Sequence, residues 1–123
     1  MSEQIIPLCN ATDLVDGGLA VSFDVVHGGY TCRAFAIRYQ GQARAYLNRC
    51  AHIAMEMDYQ PNRFFDDSGR WLICATHGAV YEPDTGVCAG GPCRGGGLIP
   101  VTLSEAHGVV HWHTAWNLQP VEF

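Results

Sequence analysis

Two short motifs combine thiol and imidazole side chains at a spacing that suits a metal centre. Cys50 and His52 stand two positions apart, Cys74 and His77 stand three positions apart, and residues 53–73 separate the motifs. Each motif supplies one sulfur ligand and one nitrogen ligand. Two loops that carry them can therefore surround one metal centre with two sulfurs and two nitrogens.

Two kinds of metal centre accept this ligand set. A single Zn²⁺ ion takes two Cys and two His tetrahedrally, and a [2Fe–2S] cluster takes two Cys on one iron and two His on the other. Ligand softness does not separate the two. Zinc sites usually pair like ligands within one knuckle. The mixed order in this chain favours the diiron cluster, because each loop then contacts both irons. A structural zinc site is the alternative.

The segments that must position these ligands are predicted to be short β-strands. Period-two alternation of apolar and polar residues over short runs is typical of half-buried strands, and it occurs here at 19–26, 32–39, 42–47, 70–74 and 109–112. Within 32–39 the alternation places Ala34 and Ala36 on one face and Phe35 and Ile37 on the other. The pattern predicts an all-β sandwich or barrel.

The connections between these runs have turn compositions. Gln40-Gly41 lies between two predicted strands and predicts a hairpin turn. Further turns are predicted at 66–69 and 82–86, and a glycine-rich loop at 90–97. No segment carries a sustained helical stripe, and residues 51–59 allow one or two helical turns at most.

Length, composition and charge limit the class of protein. The chain has 123 residues, 48% of them hydrophobic, which predicts one folded domain over 1–123. The chain has seven basic and twelve acidic residues, which gives a formal charge of −5, and no run of basic residues occurs. This balance argues against nucleic-acid binding and favours a partner with a basic docking face. No apolar run reaches the ~18 residues of a membrane helix, and no signal peptide is recognisable, so the expected location is the cytoplasm.

The ligand motifs and the residues that follow them resemble the Rieske iron–sulfur proteins. That family carries C-x-H, an intervening hairpin and C-x-x-H-G, then an aromatic residue, a turn and a Gly-Pro pair. This chain has C-A-H at 50–52, C-A-T-H-G at 74–78, Tyr81, the turn at 82–86 and Gly91-Pro92. The resemblance runs from about residue 48 to residue 100. It implies a Rieske-like antiparallel β-sandwich or barrel with a small cluster-binding subdomain at about 46–97.

The resemblance also implies the cofactor and its ligands. The cofactor would be a [2Fe–2S] cluster, with Cys50 and Cys74 on the inner iron and His52 and His77 on the outer iron near the surface. The function would be one-electron transfer. No Ser/His/Asp set or carboxylate pair is recognisable, so no catalytic residues are assigned. The chain is expected to be an electron carrier or redox subunit more than an enzyme by itself.

Three further positions take supporting roles by the same resemblance. Gly78 would let the backbone approach a bridging sulfide. Tyr81 would direct its hydroxyl toward a cluster sulfur or simply pack. Pro92, in the third loop, would cover the cluster from one side, and with Ile53 it would form part of a docking rim.

This chain lacks features that are typical of two branches of the family. The respiratory branch joins its two ligand loops by a disulfide, but Met55 and Thr76 occupy the matching positions here. That branch also places a Ser where this chain has Ala79, and the missing hydroxyl favours a low reduction potential. The oxygenase branch needs a large catalytic domain, for which 123 residues leave no room.

What remains is a free-standing ferredoxin between a flavin reductase and an oxygenase or another oxidoreductase. The alternatives are a small Rieske subunit of a larger reductase, of the nitrite-reductase kind, and a zinc-stabilised interaction module. Ala54 and Glu56 replace a Gly and a Pro that ferredoxin members often carry, which leaves the partner open.

Four cysteines lie outside the ligand motifs. Cys9 and Cys32 are expected to be small buried residues or free thiols. Cys88 and Cys93 flank Ala-Gly-Gly-Pro in the loop beside the predicted cluster. In a reducing cytoplasm we expect two thiols there, with a disulfide as the alternative.

Overall fold

The computed structural model describes residues 4–49, 56–58, 60–75, 78–93 and 95–121. Within these residues the chain forms antiparallel strands and one 3₁₀ turn at Ala11–Asp13. The strands, numbered in chain order, are β1 (Ile5–Asn10), β2 (Val21–His27), β3 (Tyr30–Tyr39), β4 (Gln42–Leu47), β5 (Leu72–Ile73), β6 (Val80–Tyr81), β7 (Cys88–Gly90), β8 (Pro100–Val101), β9 (Leu103–Ala106), β10 (Val109–His113) and β11 (Leu118–Pro120). The all-β prediction is confirmed.

The strands form three sheets, of which one is central. The central sheet has the order β11-β2-β3-β4-β8, a second sheet has the order β1-β10-β9, and the third has the order β5-β6-β7. The third sheet lies in the segment that carries the second ligand motif.

The central sheet is covered on both faces, as β3 shows most clearly. Ala34 and Ala36 belong to a core with Val110 and Trp112 of β10. Phe35 and Ile37 belong to a second core with Leu72, Tyr81 and other residues of the third sheet. The alternation predicted for this strand is confirmed. It did not predict that both faces would be buried, because burial on a face depends on which sheet packs there.

Most predicted strands are present with shifted ends. The strand predicted at 42–47 has those bounds, and the one at 109–112 extends to His113. The strand at 32–39 begins earlier, at Tyr30. The one at 19–26 runs from Val21 to His27, and the Ala20 N–H before it donates to the Asn62 carbonyl at 2.8 Å. The run at 70–74 pairs only over Leu72–Ile73.

The turn predictions are also confirmed. Gln40 and Gly41 have φ of 51° and 80°, which is the left-handed pair that a tight hairpin needs. The Asp66 N–H donates to the Trp71 carbonyl at 2.9 Å across the second turn, and the Gly86 N–H donates to the Glu82 carbonyl at 2.7 Å across the third. The glycine-rich loop begins one residue later than predicted, because Gly90 pairs with Val80. Most of the helical turn considered at 51–59 lies outside the described residues.

Candidate functional site: a three-loop metal centre

The second ligand motif lies in a short closed loop between β5 and β6. The Cys74 N–H donates to the Ala79 carbonyl at 2.8 Å, and the Gly78 N–H donates to the Cys74 carbonyl at 2.8 Å. Gly78 has a φ of +73°, a conformation that Gly adopts without strain. Cys74 is fully buried and Gly78 is exposed. The loop therefore runs from a buried thiol to an exposed backbone within a few residues.

Asn48 joins the two ends of the segment that contains the first ligand motif. Its backbone N–H donates to the Arg33 carbonyl at 2.8 Å, which continues the pairing of β4 with β3. Its side-chain Oδ1 accepts the Met57 N–H at 2.7 Å, and its Nδ2 donates to Asp58 Oδ1 at 2.8 Å. Asn48 is 5% exposed, so these bonds form out of water. Asn48, Met57 and Asp58 are therefore held together by hydrogen bonds.

The first and second ligand loops are joined directly through Met57. Its carbonyl accepts the N–H of Ala75, the residue after Cys74, at 2.9 Å. Its side chain is fully buried in the core that also contains Cys74. One hydrogen bond therefore connects Met57, which follows the first motif, to Ala75 in the second motif.

The third loop packs on the second at glycine backbone. Gly91 has a φ of +82°, and a Cβ built on it would lie 2.8 Å from the Gly78 carbonyl oxygen and 3.1 Å from Ala79 Cα. Only a glycine fits there, so two glycines bring the loops into backbone contact. Pro92 follows and is exposed. It therefore borders the second ligand loop from the solvent side.

Cys88 and Cys93 are joined by a disulfide, with their Cα atoms 5.7 Å apart. The expectation of two thiols is wrong in this structure. The expectation rested on the redox state of a cellular compartment, whereas the turn at 91–93 returns the chain toward β7 and brings the two sulfurs together. Cys93 is 3% exposed and belongs to the core with Cys74, while Cys88 is partly exposed and packs against that core.

The core that contains Cys74 is rich in buried aromatic residues. Tyr81 is fully buried in the same core as Cys74. Phe35 stacks on Phe64 with ring centroids 3.7 Å apart. The Tyr46 hydroxyl donates to the Pro83 carbonyl at 2.8 Å, and desolvation by burial raises the pKa of Tyr46 to about 12. These contacts tie β4 to the turn between β6 and β7.

The structure describes only part of the predicted ligand set. Cys50, His52 and His77 lie outside the described residues, as do Ile53, Met55 and Thr76. The structure places Cys74, Gly78, Tyr81 and Pro92 around the third sheet and its loops. Sequence reasoning missed Asn48, although a polar residue directly between a strand and a ligand motif is a recognisable signal. It also missed Gly91 as the contact with Gly78, for which no local signal exists.

The described residues fit an iron–sulfur cluster. Cluster ligation needs thiolates held away from water and exposed imidazoles at the edge, on loops that do not move with redox change. The fully buried Cys74, the hydrogen-bonded loop ends and the close third loop supply that frame. Cys74 is the one described member of the donor set predicted from the sequence, and that predicted set of two Cys and two His suits the mixed ligation of this cluster type.

Comparison with known proteins shows the family. The Rieske [2Fe–2S] domain model matches residues 4–106, and the chain therefore belongs to that family. The cofactor of the family is a [2Fe–2S] cluster, and its chemistry here is electron transfer. No curated protein matches the chain.

Solved structures share the fold. The ferredoxin of carbazole 1,9a-dioxygenase from Nocardioides aromaticivorans IC177 matches with a TM-score of 0.69 at 15% identity, over 89% of this chain and 96% of that one. The Sphingomonas yanoikuyae B1 ferredoxin matches with a TM-score of 0.69 at 19% identity, over 91% and 100%. A chain from a complex of reduced oxygenase and oxidized ferredoxin in carbazole 1,9a-dioxygenase matches with a TM-score of 0.67 at 22% identity, over 88% and 91%. In the part of the chain that the structure describes, no helix has the length and apolar character to cross a membrane.

Proposed function

We propose that this chain is a Rieske ferredoxin that carries single electrons from a flavin-dependent reductase to an oxygenase or another oxidoreductase. The hydrogen bond from Ala75 to the Met57 carbonyl carries the proposal, because it joins the stems of both ligand motifs. The similarity to ferredoxins over nearly their whole length supports it. In this proposal residues 1–123 are one domain that acts in the cytoplasm, with its cluster-binding subdomain at about 46–97.

The proposed ligands are Cys50 and Cys74 on the inner iron and His52 and His77 on the outer iron. The cluster supplies one-electron redox chemistry when bound. The chain's own residues hold it and limit access to it. The thiol of Cys74 lies on the buried side, and the tight Gly78 turn leads the backbone out to the surface. We assign the aromatic ring of Tyr81 to packing behind the cluster, because it lies fully buried in the apolar core.

The proposed electron port is the exposed edge of the ligand loops. Ala75, Gly78 and Pro92 are exposed there, and Glu56 borders the stem of the first loop. Small residues and a proline leave a low rim that lets a partner approach closely. The net negative charge of the chain steers the encounter with a basic partner face.

Spectroscopy and metal analysis test the cluster. Anaerobically purified protein is expected to absorb broadly in the visible range, to contain iron and sulfide in equal amounts, and to give a Rieske-type EPR signal after reduction with dithionite. Colourless protein with stoichiometric zinc would overturn the redox proposal. Reconstitution with iron and sulfide follows if neither metal is found, and failure to take up a cluster then counts against the proposal.

A ligand substitution tests the residue assignment. His77→Cys should move the absorption and EPR spectra toward those of a cluster with four Cys ligands, because sulfur replaces nitrogen on the outer iron. The matched control is His111→Cys in β10, which lies in the sheet away from the ligand loops. Unchanged spectra in the His77 variant would remove that residue from the ligand set.

A further inference from the structure

The third loop contains two sulfur atoms with very different surroundings. Cys93 is 3% exposed and packs in the core with Cys74. Cys88 is partly exposed at the start of β7. In thiol–disulfide exchange the accessible sulfur is attacked and the other one leaves. The arrangement therefore selects Cys88 Sγ as the sulfur that an incoming thiolate reaches.

The surroundings of the Cys93 sulfur suit a thiol as well as a disulfide. Its Sγ lies 3.2 Å from the Gly90 carbonyl oxygen and 3.6 Å from the Val80 carbonyl oxygen. A disulfide sulfur has no hydrogen to donate, whereas the S–H group of a reduced Cys93 can donate to either acceptor. The reduced state would thus leave no buried donor without a partner at this position.

The same loop is in contact with the second ligand loop. Gly91 lies between the two cysteines, and its backbone packs on Gly78 and Ala79 so closely that no Cβ fits. The disulfide closes a ring of six residues around this contact. The disulfide therefore restrains the backbone segment that packs on the loop of Cys74.

We propose that Cys88–Cys93 is a redox-active disulfide that controls how tightly the third loop covers the cluster side of the protein. A thiolate of a dithiol reductant attacks Cys88 Sγ, the Sγ–Sγ bond breaks, and Cys93 leaves as a thiolate that takes up a proton. The second thiol of the reductant then attacks the mixed disulfide and releases Cys88 as a thiol. In total, two electrons and two protons pass from the dithiol, which becomes a disulfide.

The consequence for the cluster rests on the proposed function. When the loop loosens, water gains access to the cluster side. The reduced cluster with its two thiolates carries one more negative charge than the oxidised one, so solvation favours the reduced state. The one-electron reduction potential should therefore rise when the disulfide is opened, and the cluster should be lost faster.

The first experiment tests the disulfide without reference to the cluster. Native protein is treated anaerobically with dithiothreitol, alkylated with iodoacetamide and mapped by peptide mass. We expect two added alkyl groups on the peptide with residues 88–93, and reversal on reoxidation before alkylation. Cys88→Ser with Cys93→Ser is the control and should gain none. Labelling that requires urea would overturn the proposal, because the bond would then be opened only by unfolding.

The second experiment tests the coupling to the cluster. The midpoint potential and the rate of cluster loss are compared for the disulfide form, for the dithiol form after removal of the reductant, and for the double Ser variant. We expect the dithiol form and the variant to share a higher potential and a several-fold faster loss. Equal values in all three forms would overturn the coupling while leaving the ferredoxin proposal intact. Failure to hold a cluster even after reconstitution would overturn the proposed function, and the alkylation result would still decide the disulfide.

Discussion

At the scale of single residues, the buried side chain of Asn48 holds the stem of the first ligand motif through two hydrogen bonds. It closes the segment of the first motif through Met57, and Met57 in turn accepts the hydrogen bond from Ala75. Its third partner, Asp58, also accepts the Asn62 N–H at 2.9 Å, which extends the network toward β2 through a bond between Asn62 and Ser22. One buried amide therefore links the central sheet to both ligand loops.

Asn48→Ala should destabilise the protein by about 2–3 kcal/mol, because it leaves the buried Met57 N–H without its acceptor and removes one bond from Asp58. The measurement is urea unfolding, together with the cluster content of the purified protein, which should fall. Gln42→Ala, an exposed position at the other end of β4, is the control and should change stability little. An Asn48 variant with the stability of the control would contradict the central position of this side chain.

Tyr46 makes the stability of the protein depend on alkaline pH. Burial raises its pKa from 10.0 to about 12, with Arg44 opposing and Asp84 adding to the shift. The folded state favours the protonated phenol, so this contribution is fully present below pH 10, the unfolded value, and is lost as the pH rises through about 12. Burial also raises the pKa of the Cys9 and Cys32 thiols, which act in the same direction.

The variant Tyr46→Phe distinguishes the contribution of the phenol to the pH dependence of stability from the contribution of the two thiols. The variant should lose about 1 kcal/mol at neutral pH, because the Pro83 carbonyl loses its donor. Its unfolding midpoint in urea should then fall less steeply above pH 10 than that of the unchanged protein. Parallel declines of the two proteins would show that the hydroxyl is not the group that titrates.

At the scale of elements, the contact between the second and third loops depends on a single missing side chain. Gly91 and Gly95 have nearly the same φ, +82° and +81°. A Cβ on Gly91 would lie 2.8 Å from the Gly78 carbonyl oxygen, whereas a Cβ on Gly95 would have no neighbour within 4 Å. The two positions therefore separate conformational strain from steric contact.

Gly95→Ala should cost about 1 kcal/mol from the left-handed backbone alone. Gly91→Ala should cost more, because backbone atoms must also move, and it should lower cluster content and shift the reduction potential. Thermal unfolding and the visible spectrum measure the two effects. If the two variants had the same stability and the same spectrum, the close approach of Gly91 to Gly78 would contribute nothing to either.

At the scale of the whole molecule, the formal charge of −5 favours electrostatic steering toward a basic partner face. Seven arginines are the only strongly basic side chains, and several lie in ion pairs, including Arg38 with Glu105 at 3.0 Å and Arg63 with Asp67 at 2.8 Å. The net charge that remains is negative. Its attraction for a basic partner acts over long distances and is therefore weakened by salt.

The rate of electron exchange with a protein partner should fall about tenfold between roughly 20 mM and roughly 300 mM salt, because screening removes the steering. Stopped-flow kinetics with the cognate reductase, or with a ferredoxin reductase that accepts this protein, measures it. Reduction by a small uncharged reagent is the control and should change little. A rate that is flat or rises with salt would assign the partner a neutral or acidic docking face.

Sequence alone determined the features that depend on a few neighbouring residues. The Gln40-Gly41 turn follows from the tolerance of those residues for positive φ, and β4 follows from alternation between two turns. The prediction that Cys50, His52, Cys74 and His77 are metal ligands likewise rests on residue types and spacing. Such features are local because backbone preference and donor chemistry belong to the residues themselves.

Tertiary structure decided the features that join distant segments. Burial of both faces at Ala34–Ile37, the packing of Gly91 on Gly78 and the bonds of Asn48 to Met57 and Asp58 all depend on how the sheets pack. The Cys88–Cys93 bond belongs with them, because composition could not show that the chain returns to within 5.7 Å between Cα atoms. Packing sets these contacts through the shape and burial of the whole chain, which no short window of sequence contains.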